Sequence, residues 1–309
     1  MSDGMGTRPI LIVGGSGQIG EWVARTFIAH GQDVVSTYYR NARPGGIQLD
    51  ASKIDQVREV VRRVQPRLIV NSVNARGGTD ACEMDPGLAH RAHFETARNL
   101  VDAARSIGAR FVQISTDYVF DGRSGPYAED AACSPLSQLG RAKLAAEQYA
   151  LALGPKALVM RTSFVFSWTP ESSTKNFVMQ LLESAQRGEV MRVPVDQMSN
   201  VTYAPNFAES LVELVELGAT GVYHVAGTTR CSKYDWALKV VEFFGLNRAI
   251  ILGVLTAELG QRGPRPLQSG FRLEKVQSAL KRTRLLSLEE GLSDMEREMA
   301  LASRPVEAR

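Results

Sequence analysis

The densest chemical signal in the chain is Gly14-Gly15-Ser16-Gly17-Gln18-Ile19-Gly20. The spacing Gly14-x-x-Gly17-x-x-Gly20 puts glycine where a chain must turn sharply and where backbone must approach a pyrophosphate. Free N–H groups across Gly14, Ser16, Gly17, Gln18 and Ile19 then face phosphate oxygens, helped by the dipole of the helix that follows. A glycine turn without a ligand has the same composition, but the place of this one, between a strand and a helix, favours the phosphate cradle. The end of the next strand reads Ser36-Thr37-Tyr38-Tyr39-Arg40-Asn41. An acid there selects NAD, and a base receives the 2′-phosphate of NADP. No acid is present and Arg40 is, so the cofactor expected is NADP(H). Asp50, closing Gln48-Leu49-Asp50, either borders the adenine pocket or begins the next helix, a role open equally to Ser52. Arg262 and Arg265, in Gln-Arg-Gly-Pro-Arg-Pro, are candidates to hold a diphosphate by bidentate contacts, unless they are simply solvated.

Other chemistry is thin. The four histidines (His30, His90, His93, His224) lack metal-ligand spacing, so no metal is expected. There is no nucleophile elbow, Walker loop or zinc-finger spacing. Cys82, Cys133 and Cys231 are too few and too scattered for a disulfide framework.

The elements that carry these residues alternate two hydrophobic periods. Ile10–Val13 is a short apolar run. Ile19, Val23, Ala24, Phe27 and Ile28 then repeat at helical spacing up to Gly31. Strands are read at 33–38, 68–73, 110–115 and 157–161. Helices are read at 54–64, 88–105 and 136–151. Strands alternating with helices make βαβ units, and right-handed crossovers make them a doubly wound parallel sheet of Rossmann type. Residues 1–163 are expected to form this domain. Later strands near 191–226 are expected to return to it, and 164–309 to form mainly a smaller C-terminal substrate lobe. Residues 167–175 and 264–269 read as polar loops, and 303–309 as a frayed tail.

Composition agrees with a soluble globular enzyme or binding protein. Hydrophobic residues make up 44% and charged residues 22% of 309, and the net charge is +3. The basic residues are dispersed, which argues against nucleic acid as a partner. No run approaches the ~20 apolar residues of a membrane span, and the polar N-terminus lacks a signal peptide, so a reducing cytoplasm is expected.

Taken together, the glycine loop, Ser115-Thr116-Asp117-Tyr118-Val119-Phe120-Asp121-Gly122, Pro126-Tyr127-Ala128-Glu129-Asp130 and Pro135 through Lys143 to Glu147 resemble an extended short-chain dehydrogenase/reductase. The subgroup resembled is dTDP-4-dehydrorhamnose reductase, to which regulatory subunits of methionine adenosyltransferase are also similar. The resemblance covers nearly the whole chain and continues weakly through Asp196-Gln197, Thr202-Tyr203 and Arg265-Pro266.

It implies that Thr116 polarises a substrate carbonyl and that Lys143 holds the nicotinamide ribose. It also implies a tyrosine four residues before Lys143 as proton donor, its pKa lowered by the lysine one helical turn away. Leu139 stands there instead, and 134–142 contains no tyrosine. In the preceding helix His93 occupies the position of an asparagine. His93, Asp117 and Tyr118 are therefore the candidates to replace the missing acid, although a lone helical histidine is also a common structural group. Two functions follow as expectations. One is an NADP(H)-dependent reductase of a keto group on a nucleotide sugar or other small metabolite, with an atypical proton donor. The other is a non-catalytic NADP(H)-binding regulatory or sensor subunit, or a protein running redox-neutral chemistry. In such enzymes a helix like 136–151 often builds a dimer bundle, so a homodimer or a complex with a partner enzyme is also expected.

Overall fold

Ile10–Val13 has no polar residue to turn toward water, and in the computed structural model, which describes residues 8–169 and 175–302, it forms a strand with every side chain buried (β1). Val34–Tyr38 (β2), Ile47–Gln48 (β3), Leu68–Asn71 (β4), Arg110–Thr116 (β5) and Ala157–Thr162 (β6) follow. With Gly221–His224 (β11) they form one seven-stranded parallel sheet in the order β11-β6-β5-β4-β1-β2-β3. This is the doubly wound arrangement expected.

Both faces are covered, as a parallel sheet requires. Ile10 and Ile12 point to a core shared with helix α1 (Gln18–Ala29) and with Phe207 and Leu211. Leu11 and Val13 point to another shared with α2 (Ile54–Val64) and α5 (Thr96–Ile107). The order reverses at β1, between β4 and β2, and opens a crevice at the carboxyl ends of the strands.

The stretch expected as one helix over 88–105 is interrupted. Short helices α3 (Gly78–Met84) and α4 (Pro86–Ala89) lead into a π-helical turn, His90–Glu95, before α5 resumes. Hydrophobic periodicity does not register the extra residue that such a turn holds. Helix α6 spans Gln138–Leu151, with Ser137 as its N-cap.

After β6 the chain leaves the sheet. Val165–Phe166 (β7) pairs with Thr202–Tyr203 (β10), Met198–Asn200 (β9) with Arg230–Ser232 (β12), and Met191–Pro194 (β8) with Ile251–Val254 (β13). Met191–Pro194, expected to return to the main sheet, therefore lies outside it. Arg192 is exposed in this strand, and only Val193 and Pro194 are buried, which does not suit a strand covered on both faces. Helices α7 (Phe177–Arg187), α9 (Lys233–Phe243) and α11 (Leu288–Ala302) enclose a second core around Trp236. Helices α8 (Ala204–Glu216) and α10 (Glu274–Ala279) pack back on the sheet domain. Residues 170–174 of the expected loop and the expected tail at 303–309 lie outside the described residues. No helix among the described residues is long and apolar enough to cross a membrane.

One carboxylate pins α8 to the chain after α10. Glu213, 2% exposed, accepts from the backbone N–H groups of Lys281 (2.5 Å), Arg282 (2.8 Å) and Thr283 (2.7 Å). Burial alone pushes its pKa up, but these bonds outweigh it and hold the value at about 2. A depressed carboxylate stabilises the fold above its unfolded pKa, and the contribution is lost as pH falls through the folded one. Glu213→Gln is expected to cost about 1.5–3 kcal/mol at neutral pH. In urea unfolding, that difference from wild type should hold from pH 8 to 6 and shrink progressively below about pH 4. A difference independent of pH would contradict the assignment.

Candidate active site

The crevice is floored by the glycine loop. Gly14 takes a positive φ of 83°, and its N–H donates to Thr37 Oγ1 at 3.3 Å. A Cβ on Gly20 would lie 2.3 Å from the Gly14 carbonyl oxygen and 2.5 Å from Ser72 Oγ, so this glycine is demanded by packing of helix against strand. Gly17 is exposed at the mouth, and a Cβ there meets only the Gly14 oxygen, at 3.2 Å. Ser16 and Ile19 are half-buried around it. Gln18, the first residue of α1, turns its amide across the crevice to Ser167 Oγ at 3.1 Å. Arg40 is exposed beside the Tyr39 ring, 5.1 Å from its centroid, and no ion pair among the described residues engages it. Asp50 is committed locally: its Oδ1 accepts from Ser52 N (3.1 Å) and Ser52 Oγ (2.6 Å) in the turn before α2.

The second wall is built where β5 ends. Thr116 closes the strand, and its Oγ1 accepts from Tyr118 N at 3.3 Å and donates to Asp117 Oδ1 at 3.2 Å. Helix α6 presses on this turn. A Cβ on Gly140 would stand 2.2 Å from the Tyr118 carbonyl oxygen. The helix start is tied down by Ser137, which accepts from Gly140 N (3.1 Å), and by Glu83, which accepts from Gln138 N (2.9 Å). Further along α6, Glu147 pairs with Arg161 of β6 at 2.7 Å, both side chains buried.

Leu139 and Lys143 thus face the crevice side of α6. Leu139 packs in an apolar cluster with Cys82, Ala89 and Ala142, and the Tyr118 ring lies against the same cluster. Lys143 Nζ donates to the carbonyls of Val73 (3.2 Å) and Ile114 (3.3 Å), just past β4 and near the end of β5. His93, in the π-helical turn, is 2% exposed, and neither ring nitrogen has a hydrogen-bond partner among the described residues.

Burial sets the charges. It lowers the Lys143 ammonium to about 8, against the opposing pull of Glu147. It holds His93 well below an ordinary imidazole, with Lys143 adding to the effect, so the ring is neutral at neutral pH. It raises the Tyr118 phenol to about 12, helped by the neighbouring Asp117 carboxyl. Asp117 is itself raised by burial, against the bonds it accepts from Ser199 and Thr116.

Three contacts join the second lobe to this wall. Ser199 Oγ donates to Asp117 Oδ2 at 2.7 Å, Gly263 N to Asp80 Oδ1 at 2.9 Å, and Arg265 Nη1 to the same Asp80 oxygen at 2.7 Å. Arg265, read from sequence as a diphosphate ligand, is therefore engaged by Asp80, while Arg262 is exposed. Lys233, half-buried with its ammonium 4.6 Å from the Phe177 ring centroid, is brought by the fold to the same lobe and lowered to about 8 by burial. Sequence reasoning missed Asp80, Ser199 and Lys233. Their partners lie far away in the chain, 185 residues for Asp80–Arg265 and 82 for Asp117–Ser199, and no local spacing signals them.

The crevice therefore brings together the glycine loop, Thr116 at the end of β5 and Lys143 on α6. Residues 8–300 match the family model described as the RmlD substrate binding domain. The chain belongs to that family. It is 30% identical over 287 residues to the dTDP-4-dehydrorhamnose reductase of Aggregatibacter actinomycetemcomitans, covering 87% of this chain and 92% of that one. It is 28% identical over 282 residues to methionine adenosyltransferase 2 subunit beta of Danio rerio, covering 87% and 84%. The crystal structure of dTDP-4-dehydrorhamnose reductase from Bacillus anthracis in complex with NADP superposes with a TM-score of 0.84 at 28% identity, over 94% of this chain and 99% of that one.

The two glycines predict opposite outcomes. Gly20→Ala must push backbone from backbone and is expected to destabilise by about 1–3 kcal/mol. Gly17→Ala is expected to cost no more than about 1 kcal/mol, the loss of a fair N-cap at an exposed position where Cβ meets a single atom. Thermal unfolding of both variants checks this, and equal losses would contradict the packing described.

Proposed function

We propose that this chain is an NADP(H)-dependent oxidoreductase of the cytoplasm that reduces a keto group on a nucleotide-linked sugar, with Tyr118 as the proton donor in place of the residue that Leu139 cannot be. The observation that carries the reading is the packing of the Tyr118 ring against the Leu139 cluster, beside Thr116 and on the same wall as Lys143. The residues present suit the cofactor. Gly17 leaves the loop open to a pyrophosphate, the start of α1 offers N–H groups, and Arg40, exposed just after β2 with no ion pair among the described residues, suits a 2′-phosphate. When bound, NADPH supplies the hydride.

The chain's own groups do the rest. Thr116 Oγ1 exchanges its bond to Asp117 for one to the substrate carbonyl, polarising it. Lys143, now donating to two strand-end carbonyls, has its remaining N–H for the ribose. A phenol held at about 12 stays protonated at neutral pH, yet remains a stronger acid than the alcohol formed when the substrate oxygen takes up its proton. At neutral pH almost every copy therefore carries the proton to be given, and the phenolate that would take one back is scarce, which suits reduction. Neutral His93 has no proton to give at this pH, and its unpartnered nitrogens beside Lys143 suit a hydrogen-bonding role there. Lys233 on the second lobe suits a diphosphate.

A second reading, a non-catalytic NADP(H)-binding regulatory subunit, is favoured by Leu139 itself and by the similarity to methionine adenosyltransferase subunits.

For the cofactor, a charge-assisted contact to the 2′-phosphate should make NADPH bind about 10–150-fold tighter than NADH, and Arg40→Ala should remove most of that preference. Calorimetric titration with both cofactors measures it, and equal affinities would rule out Arg40 as the discriminator.

For the chemistry, single-turnover NADPH consumption with dTDP-4-dehydrorhamnose should slow by about 100-fold or more in Tyr118→Phe and by less than about 5-fold in His93→Ala, since general acid catalysis is worth about 10²–10⁴. The reverse ranking moves the donor to His93. Tight NADPH binding with no turnover against a panel of keto sugars establishes the regulatory reading in place of this one.

A further inference from the structure

Gln18 sits at the start of α1, in the loop that faces the cofactor phosphates, yet its side chain is spent on the other lobe. Its Nε2 donates to Ser167 Oγ at 3.1 Å, across 149 residues of sequence. Ser167 is 0% exposed, and its backbone carbonyl accepts from Asn176 Nδ2 at 2.7 Å. Asn176 is the N-cap of α7, where its Oδ1 accepts from Met179 N at 3.2 Å. The next residue, Phe177, lies beneath the Lys233 ammonium and against Trp236, their ring centroids 4.7 Å apart. A single line of contacts therefore runs from the glycine loop to Lys233 and Trp236 in the second lobe. The residues just after Ser167 are under-satisfied. Trp168 Nε1 and Thr169 Oγ1 are buried without a hydrogen-bond partner among the described residues. Buried donors without acceptors are costly, so this segment gains whenever a rearrangement gives them partners.

We propose that Gln18 is a positioning residue that couples cofactor occupancy of the glycine loop to the Ser167–Trp168 segment, and through Asn176 to the substrate-facing wall, so that cofactor and nucleotide bind cooperatively. A phosphate seated over the start of α1 restricts the Gln18 side chain to the orientation that reaches Ser167. The ordering of that amide, and of the segment it holds, is then complete before the second ligand arrives. Coupling of this kind is reciprocal and amounts to about fivefold or more. The proposal rests on the cofactor reading above but not on turnover.

The test uses the three tryptophans, Trp22, Trp168 and Trp236, as reporters. The full-length protein is labelled with 5-fluorotryptophan, and the fluorine resonance of Trp168 is assigned by its loss in Trp168→Phe. Saturating NADP⁺, with saturation set by calorimetry for each protein, should shift the Trp168 resonance in the wild type. The shift should be absent in Gln18→Ala and in Ser167→Ala. In parallel, NADP⁺ should tighten binding of dTDP by about fivefold or more in the wild type and by less than about twofold in either variant. The double variant should lose nothing further, because the two residues act through one bond. A Trp168 shift that persists in cofactor-saturated Gln18→Ala overturns the proposal, as does a wild-type resonance that ignores bound NADP⁺. A wild type that binds no NADP⁺ overturns the cofactor reading, and this proposal with it. NADP⁺ binding without dTDP binding overturns only the nucleotide-sugar assignment, and the fluorine shifts then decide the coupling alone.

Discussion

The closest approach in the site is backbone against helix. Gly140 sits so near the Tyr118 carbonyl that the first carbon of any side chain would overlap it. That contact fixes the distance between α6 and the end of β5, and the whole wall follows from it. Leu139 and Lys143 inherit their places from the helix, and Thr116, Asp117 and Tyr118 inherit theirs from the strand. Two polar ties hold the helix in that position: Ser137 and Glu83 at its start, and the buried Glu147–Arg161 pair further along. The pair is safe inside the protein because Arg161 also donates to Cys133 and lies beside His224, so few of its hydrogens go unmet. A site whose members share one rigid contact holds its shape largely independently of the side chain that stands at Leu139.

The chemistry of the wall is set by dryness more than by charge. Four ionisable groups meet there, and burial moves each toward its neutral form. A dry wall suits a carbonyl that must receive hydride and then a proton. It also explains why His93, the most suggestive residue in the sequence, is a weak acid candidate. Histidine titrates near neutrality in water, but this imidazole is shut away from water and lies near an ammonium.

The sheet was legible because its signal is local. Continuous apolar runs such as Ile10–Val13 and Leu68–Asn71 permit little but buried parallel strands, and the glycine spacing placed the crevice at the end of β1. Thr116, Lys143 and Leu139 were singled out through the family resemblance, and the structure puts the first at the end of β5 and the other two one turn apart on α6. What stayed hidden was of two kinds. Contacts between lobes, such as Asp80 with Arg265 and Ser199 with Asp117, depend on distant pairs that no window contains. The strand at Met191–Pro194 carried enough apolar residues to be read as a strand, but the single exposed Arg192 that sorts it to the outer sheet is too small a signal to weigh beforehand. Arg265 is the converse case: its charge left a ligand and plain solvation open, and the fold engages it with a carboxylate of the other lobe.

The π-helical turn at His90–Glu95 carries a further consequence. An α-helix advances about 100° per residue, and a π turn is one residue too long for its height. Every side chain before the turn is thus rotated by about a third of a revolution from where a continuous helix would have set it. The inward aim of His93 is a matter of residue count as much as residue type. Removing one amino acid anywhere in that turn would let the helix heal into ordinary geometry and swing the preceding segment to another face. In this wall the length of the chain is itself a determinant of which groups meet, and a tally of substitutions between relatives would miss it.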